Sequence, residues 1–139
     1  MNPTELILKN FEKVSSVPRG SKNETAIRNW LIEWAAEHNC TSKTDAAGNL
    51  VIYVPASQGY EDRPTLILQG HMDMVCQKTL ESTHDFTKDP IQLIRDGDWI
   101  RANGTTLGAD IGIGIALMMS LVEDNSVKYP PLELLLTVE

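Results

Sequence analysis

Thr65-Leu66-Ile67-Leu68-Gln69-Gly70-His71-Met72-Asp73-Met74 runs from a continuous apolar stretch into a polar tip. The apolar part predicts a central β-strand covered on both faces, the environment of strands in layered α/β domains. Its tip carries an imidazole and a carboxylate two residues apart, and side chains at i and i+2 of an extended segment share a face. In open α/β sheets ligands bind outside the carboxyl ends of the strands. His71 and Asp73 are therefore candidates for a site, one to bind a metal and the other to orient it or an attacking water. A short His-x-Asp also occurs by chance at solvated strand ends, so position in the fold has to decide.

Upstream, Asn2-Pro3-Thr4-Glu5 opens a helix with a capping residue, a proline in the first turn and an acid three positions on. Leu6, Ile7, Phe11, Val14 and Val17 follow at helical spacing, and Pro18-Arg19-Gly20 ends the run. Ser21-Lys22-Asn23-Glu24 reads as a second capping box, leading into Ile27, Trp30, Leu31, Trp34 and Ala35 on one face. Both amphipathic helices are expected to lie on a sheet. Asp45 to Asn49 is a turn and Leu50 to Val54 a strand rich in β-branched residues. Ala56 to Arg63 is a polar surface loop.

Downstream, Ile91–Ile94 and Trp99–Arg101 flank Asp96-Gly97-Asp98 as a hairpin. Ile111 to Val122 predicts a buried helix, and Leu132 to Val138 a further central strand. This order of elements predicts an α/β domain with helices on both faces of the sheet. No repeat, low-complexity tract or linker interrupts it. The last residue, Glu139, falls at the end of a buried strand, whereas domain termini normally lie at the surface. The expectation is a piece of a longer protein.

The bulk properties narrow the function. A length of 139 residues suffices for one substantial core. A net charge of −7, with Lys and Arg scattered, argues against nucleic acid and anionic membrane as partners. No signal peptide or membrane-length apolar run is visible. Cys40 and Cys76 form neither a metal-type pair nor a disulfide framework, which fits a cytoplasmic protein.

A second candidate is Asp110, at the start of the predicted helix in Gly108-Ala109-Asp110-Ile111-Gly112-Ile113-Gly114. Asp is also a good N-cap, and one carboxylate can cap with one oxygen and ligate with the other. The cap does not account for Gly112 and Gly114, each costing about 1 kcal/mol in a helix relative to Ala. Such glycines suit close approach of backbone to a neighbouring strand or a ligand. They do not cradle a nucleotide: the dinucleotide fingerprint fails at Leu117, and no Gly-Lys-Ser/Thr occurs. A Gly-x-Ser-x-Gly elbow is absent, and nothing beside Cys76 activates a thiol. His84 is a candidate polar contact near the site and His38 a surface residue.

Taken together, His71-Met72-Asp73, Gly108-Ala109-Asp110 with the following Gly-Ile-Gly, and Leu135-Leu136-Thr137-Val138-Glu139 resemble, in order, the co-catalytic zinc exopeptidases of the M20 family. Val17-Pro18-Arg19-Gly20-Ser21, Gly104 to Asp110 and His84-Asp85-Phe86 look like its aminoacyl-histidine dipeptidase branch. The resemblance covers essentially the whole chain and implies a three-layer α/β/α zinc-exopeptidase-like (phosphorylase/hydrolase-like) catalytic domain, incomplete here. Residues 1–139 would be its N-terminal part, with the lid or dimerisation domain and the rest of the catalytic domain absent.

The same resemblance implies His71 as ligand to one zinc ion, Asp110 as the bridge between two, and Asp73 as the catalytic acid behind His71. Glu139 matches the position before a glutamate pair that would supply the general base and another ligand. The implied function is hydrolysis of dipeptides, Xaa-His and broader, by a dinuclear zinc-activated water in a homodimeric full-length protein, with the 139 residues alone inactive. Cobalt or manganese would suit the same ligands. The alternatives are an aminoacylase or deacetylase of the same family acting on another amide, and a non-catalytic binding module that kept the fold.

Overall fold

The computed structural model describes all 139 residues. In chain order the elements are α1 (Pro3–Ser15), α2 (Thr25–Glu37), β1 (Thr41–Thr44), β2 (Leu50–Val54), β3 (Leu66–His71), β4 (Leu93–Asp96), β5 (Trp99–Ala102), α3 (Ala109–Glu123) and β6 (Leu132–Thr137). The mixed α/β class agrees with the sequence reading.

Four strands form one sheet in the order β1-β2-β6-β3. Strands β1/β2 and β2/β6 pair antiparallel, while β3 and β6 are parallel. A parallel pair needs a long crossover, and here it carries the β4–β5 hairpin and α3. That crossover is what returns Asp110 to the carboxyl end of β3. The hairpin closes through Gly97 at φ 59°, a conformation glycine adopts freely.

Register explains the burial pattern. Leu50, Ile52 and Val54 of β2 pair with Leu136, Leu134 and Leu132 of β6, and all six are buried. They share one sheet face, and against it pack Ile27, Leu31, Trp34 and Ala35 of α2, Val14 of α1, and Ile115, Met118 and Met119 of α3. The opposite face carries Tyr53 and Ile67, both exposed.

Helices therefore cover one face of the sheet within these residues, where the sequence predicted both. Strand β3 likewise lies at the sheet edge rather than in its middle, and Leu66 and Ile67 are 47% and 59% exposed. An unbroken apolar run records that a strand is made for burial without recording what buries it. Strand β6 does occupy a central position, as predicted.

Three local readings also need revision. Strand β1, Thr-Ser-Lys-Thr, went unpredicted because a polar edge strand has no apolar alternation to betray it. Helix α1 packs chiefly on α3 rather than on the sheet: Asn10 donates to Ser120 Oγ and Glu123 Oε1 at 2.9 and 2.8 Å, and Phe11 lies against Gly112. The Ser21 capping box does not form, since α2 has no side-chain cap. The α1 cap is as expected, with Asn2 Oδ1 accepting from the Glu5 amide at 2.8 Å.

Candidate metal centre

Strand β3 ends at His71, and Met72 continues its pairing with β6 by donating to the Thr137 carbonyl at 2.8 Å. The imidazole stands at the sheet's carboxyl edge with its side chain 39% exposed. Its Nδ1 lies 2.9 Å from the Asp73 carbonyl oxygen and 3.2 Å from Asp73 Oδ1. Both neighbours are acceptors, so Nδ1 carries the proton of the neutral ring. Nε2 then presents its lone pair outward, the tautomer a metal ligand requires. Asp73 itself is 8% exposed.

Asp110 arrives from the start of α3. Its Oδ1 lies 3.5 Å from His71 Nε2, and its side chain is 96% exposed. The N-cap reading is not what the structure shows. Helix α3 is capped by Gly108 at φ 77°, and Asp110 and Ile111 have non-helical backbone angles. The Asp110–Ile111 peptide is cis. With Gly108 at the cap and no side-chain cap bond, the Asp110 carboxylate is not committed to the helix end.

His71 and Asp110 thus converge from two elements far apart in sequence, one lone pair and one carboxylate facing a common volume. As a donor set this fits the beginning of a site for zinc, which takes His nitrogen and Asp oxygen. It is not a closed set: no group of three or more His, Cys, Asp or Glu comes together to hold a metal ion.

Two further residues enter the site, both within the Val17-Pro18-Arg19-Gly20-Ser21 motif but given no role there. Ser21 Oγ donates to Asp73 Oδ2 at 2.6 Å. Arg19 is 2% exposed; its Nη1 donates to the carbonyls of Met72 and Asp73 at 3.2 and 3.3 Å, and Nη2 to that of Gly108 at 2.5 Å. Burial lowers its pKa to about 10, with Asp73 opposing the shift, so the guanidinium stays charged at neutral pH. Their roles were masked by local readings, Arg19 as a helix stop and Ser21 as a cap. The signal that could have found Arg19 is the glycine spacing. A Cβ on Gly108 or Gly112 would stand 2.7 or 2.5 Å from Arg19 Nη2, so those glycines make room for an arginine, not for a strand or a ligand.

The remaining histidines and Cys40 stay outside, and Cys76 lies beside Arg19 and Asp73. His84 packs edge-on to Phe86 at 4.6 Å, and its backbone carbonyl accepts from Lys78, so it is not in contact with the metal candidates. His38 is half-buried against Trp34, its Nε2 3.7 Å from Glu123, rather than freely on the surface. Burial pushes the Cys76 thiol pKa up, contrary to what a nucleophile needs.

No family model matches the sequence. The chain is, however, 45% identical over 128 residues to the cytosol non-specific dipeptidase of Escherichia coli (strain K12), covering 92% of this chain and 26% of that protein. Among solved structures it is similar to the aminoacylhistidine dipeptidase of Vibrio alginolyticus, with a TM-score of 0.92 and 40% identity over all of this chain and 29% of that one. A tripeptidase from Staphylococcus aureus shares the fold, with a TM-score of 0.78 at 22% identity, over 99% of this chain and 37% of that one. The chain spans about a quarter of the length of the curated relative it matches. These relatives are named as dipeptidases and a tripeptidase, and the chain is homologous in sequence to part of the first and matches part of the second in fold.

Proposed function

We propose that the protein to which this chain belongs hydrolyses dipeptides, Xaa-His among them, at a dinuclear zinc centre for which His71 and Asp110 supply the first two ligands. The observation that carries this reading is the approach of His71 Nε2 and Asp110 Oδ1 to 3.5 Å, in a chain 45% identical to a dipeptidase. Two bound zinc ions would supply a water activated near neutral pH and a polarised scissile carbonyl.

The chain's own contribution is positional. Asp73 accepts from His71 Nδ1, holding the ring in one tautomer and one orientation and raising its basicity. Asp110, uncommitted to the helix cap, keeps both oxygens available for bridging. His71 and Asp110 alone fall short of a tetrahedral set for either ion. In this reading the 139 residues alone bind zinc weakly and turn over no dipeptide, and the other ligands and the general base come from elsewhere in the protein. Residues 1–139 are then the N-terminal part of the catalytic domain. The whole protein is proposed to be a cytoplasmic homodimer; no helix here is long and apolar enough to cross a membrane.

The test is dipeptide hydrolysis and metal content of the full-length gene product, wild type against Asp110→Ala. Turnover of an Xaa-His dipeptide with about two zinc ions per active site, both lost in the variant, supports the proposal. Two metals with no dipeptide cleavage would move the substrate to another amide. A protein that takes up no metal would leave His71 and Asp110 as a strand end and a helix start.

A further inference from the structure

We propose that the turn after α1 is a positioning element of this centre: Ser21 orients the Asp73 carboxylate toward His71, and Arg19 ties the His71–Asp73 segment to the segment that delivers Asp110. The inference rests on the metal-centre reading above and adds residues to it.

Three sets of contacts support it. The backbone of the turn runs alongside the site segment, Met74 N donating to the Arg19 carbonyl at 2.9 Å and Ser21 N to the Met74 carbonyl at 3.2 Å, with a parallel bridge between Gly20 and Met74. In this register Gly20 lies opposite Met74, so Ser21 and Asp73, flanking that bridge on the two strands, project to the same side. The Asp73 carboxylate is then divided between two partners: Oδ2 accepts from Ser21 Oγ at 2.6 Å, and Oδ1 faces His71 Nδ1 at 3.2 Å. A carboxylate held at one oxygen cannot rotate freely about its terminal bond, so the other oxygen stays on the imidazole.

Arg19 supplies the second tie. Its planar fork reaches carbonyls on both sides of the site, those of Met72 and Asp73 after β3 and that of Gly108 two residues before Asp110. An apolar side chain could fill the same space with less desolvation cost. What it could not do is join two separate backbone segments. Lysine would keep the charge but has no planar fork to span them. The distance between His71 Nε2 and Asp110 Oδ1 is thus set partly by a residue that touches neither.

The test uses the full-length protein with Ser21→Ala, Ser21→Thr and Arg19→Lys, and Asp110→Ala as the control for the metal reading. Metal dissociation constants come from chelator competition, the site's geometry from the visible absorption of the cobalt(II)-loaded protein, and fold integrity from the melting temperature without metal. Ser21→Ala is expected to weaken metal binding by about tenfold, the low end for a residue behind a ligand. Its cobalt spectrum should change while the metal-free melting temperature holds, and Ser21→Thr should recover most of the affinity by restoring the hydroxyl. Arg19→Lys should weaken the metal as well.

Wild-type affinity and spectrum in Ser21→Ala, or a loss that Thr does not repair, would overturn the role of Ser21. An Arg19→Lys protein with unchanged affinity would overturn the tie. If wild type and Asp110→Ala bind metal equally, the failure lies with the metal-centre reading itself.

Discussion

Glycine in a helix usually gains stability when replaced by alanine, by about 1 kcal/mol. Gly112→Ala should do the opposite here. An added Cβ would lie 2.5 Å from Arg19 Nη2 and 3.1 Å from Phe11 Cε1, so relief requires the guanidinium to retreat. It has no room to do so cheaply, being 2% exposed and bound through both terminal nitrogens. Retreat breaks the 2.5 Å bond from Nη2 to the Gly108 carbonyl, and a hydrogen bond from a charged donor is worth about 1.5–3 kcal/mol. Overpacking against Phe11 adds to this, such insertions costing roughly 1–3 kcal/mol in all. Set against a propensity gain of about 1 kcal/mol, the hydrogen-bond loss alone leaves a net cost of about 0.5–2 kcal/mol, which overpacking raises. Urea unfolding of the full-length protein followed by tryptophan fluorescence reads it, with buried Trp34 reporting from α2. A Gly112→Ala protein as stable as wild type, or more so, would refute the account of Arg19 as a pinned residue.

Glu123 joins the three helices, accepting from Asn10 Nδ2 at 2.8 Å and from Trp34 Nε1 at 2.9 Å through separate oxygens. Glu123→Ala leaves two donors without this acceptor and should cost about 2–4 kcal/mol in a denaturation experiment. Glu123→Gln, which keeps one acceptor oxygen, should cost about half as much; equal losses would show that the acceptor pair is not what matters. The Asp45 carboxyl is held below the usual carboxylate range by the Asn49 side chain first, and then by backbone amides of the same turn. Because the folded value is the lower one, this stabilisation is complete above the ordinary carboxylate pKa and disappears as pH falls through the folded value. An NMR titration should give Asp45 a depressed midpoint that rises in Asn49→Ala, and an unmoved midpoint would remove the side-chain bond as its cause. Cys76, its thiol pKa raised by burial, should react with a disulfide reagent at neutral pH more slowly than free cysteine; an equal or faster rate contradicts the shielding.

Much of the fold was legible from the chain alone, because the relevant signals are local. Asn2 and Pro3 start α1 through bonds made within one turn, Gly97 closes the hairpin through its own dihedral angle, and the leucine-rich run from Leu132 to Leu136 suits a central strand. The motif at the end of β3 was readable for the same reason: His71 and Asp73 are neighbours in sequence as well as in space. Tertiary structure decided what depends on where distant segments cross. It left one face of the sheet bare and β3 at the edge, since covering a strand needs partners that the strand's own residues do not specify. It brought Asp110 to His71 through the crossover between two parallel strands, a distance no local pattern encodes. It also turned Ser21 from the helix it precedes to Asp73, and buried Arg19 beneath Gly108 and Gly112. A capping serine and a serine bound to a distant carboxylate have the same sequence neighbourhood; only the folded backbone chooses which acceptor lies within reach.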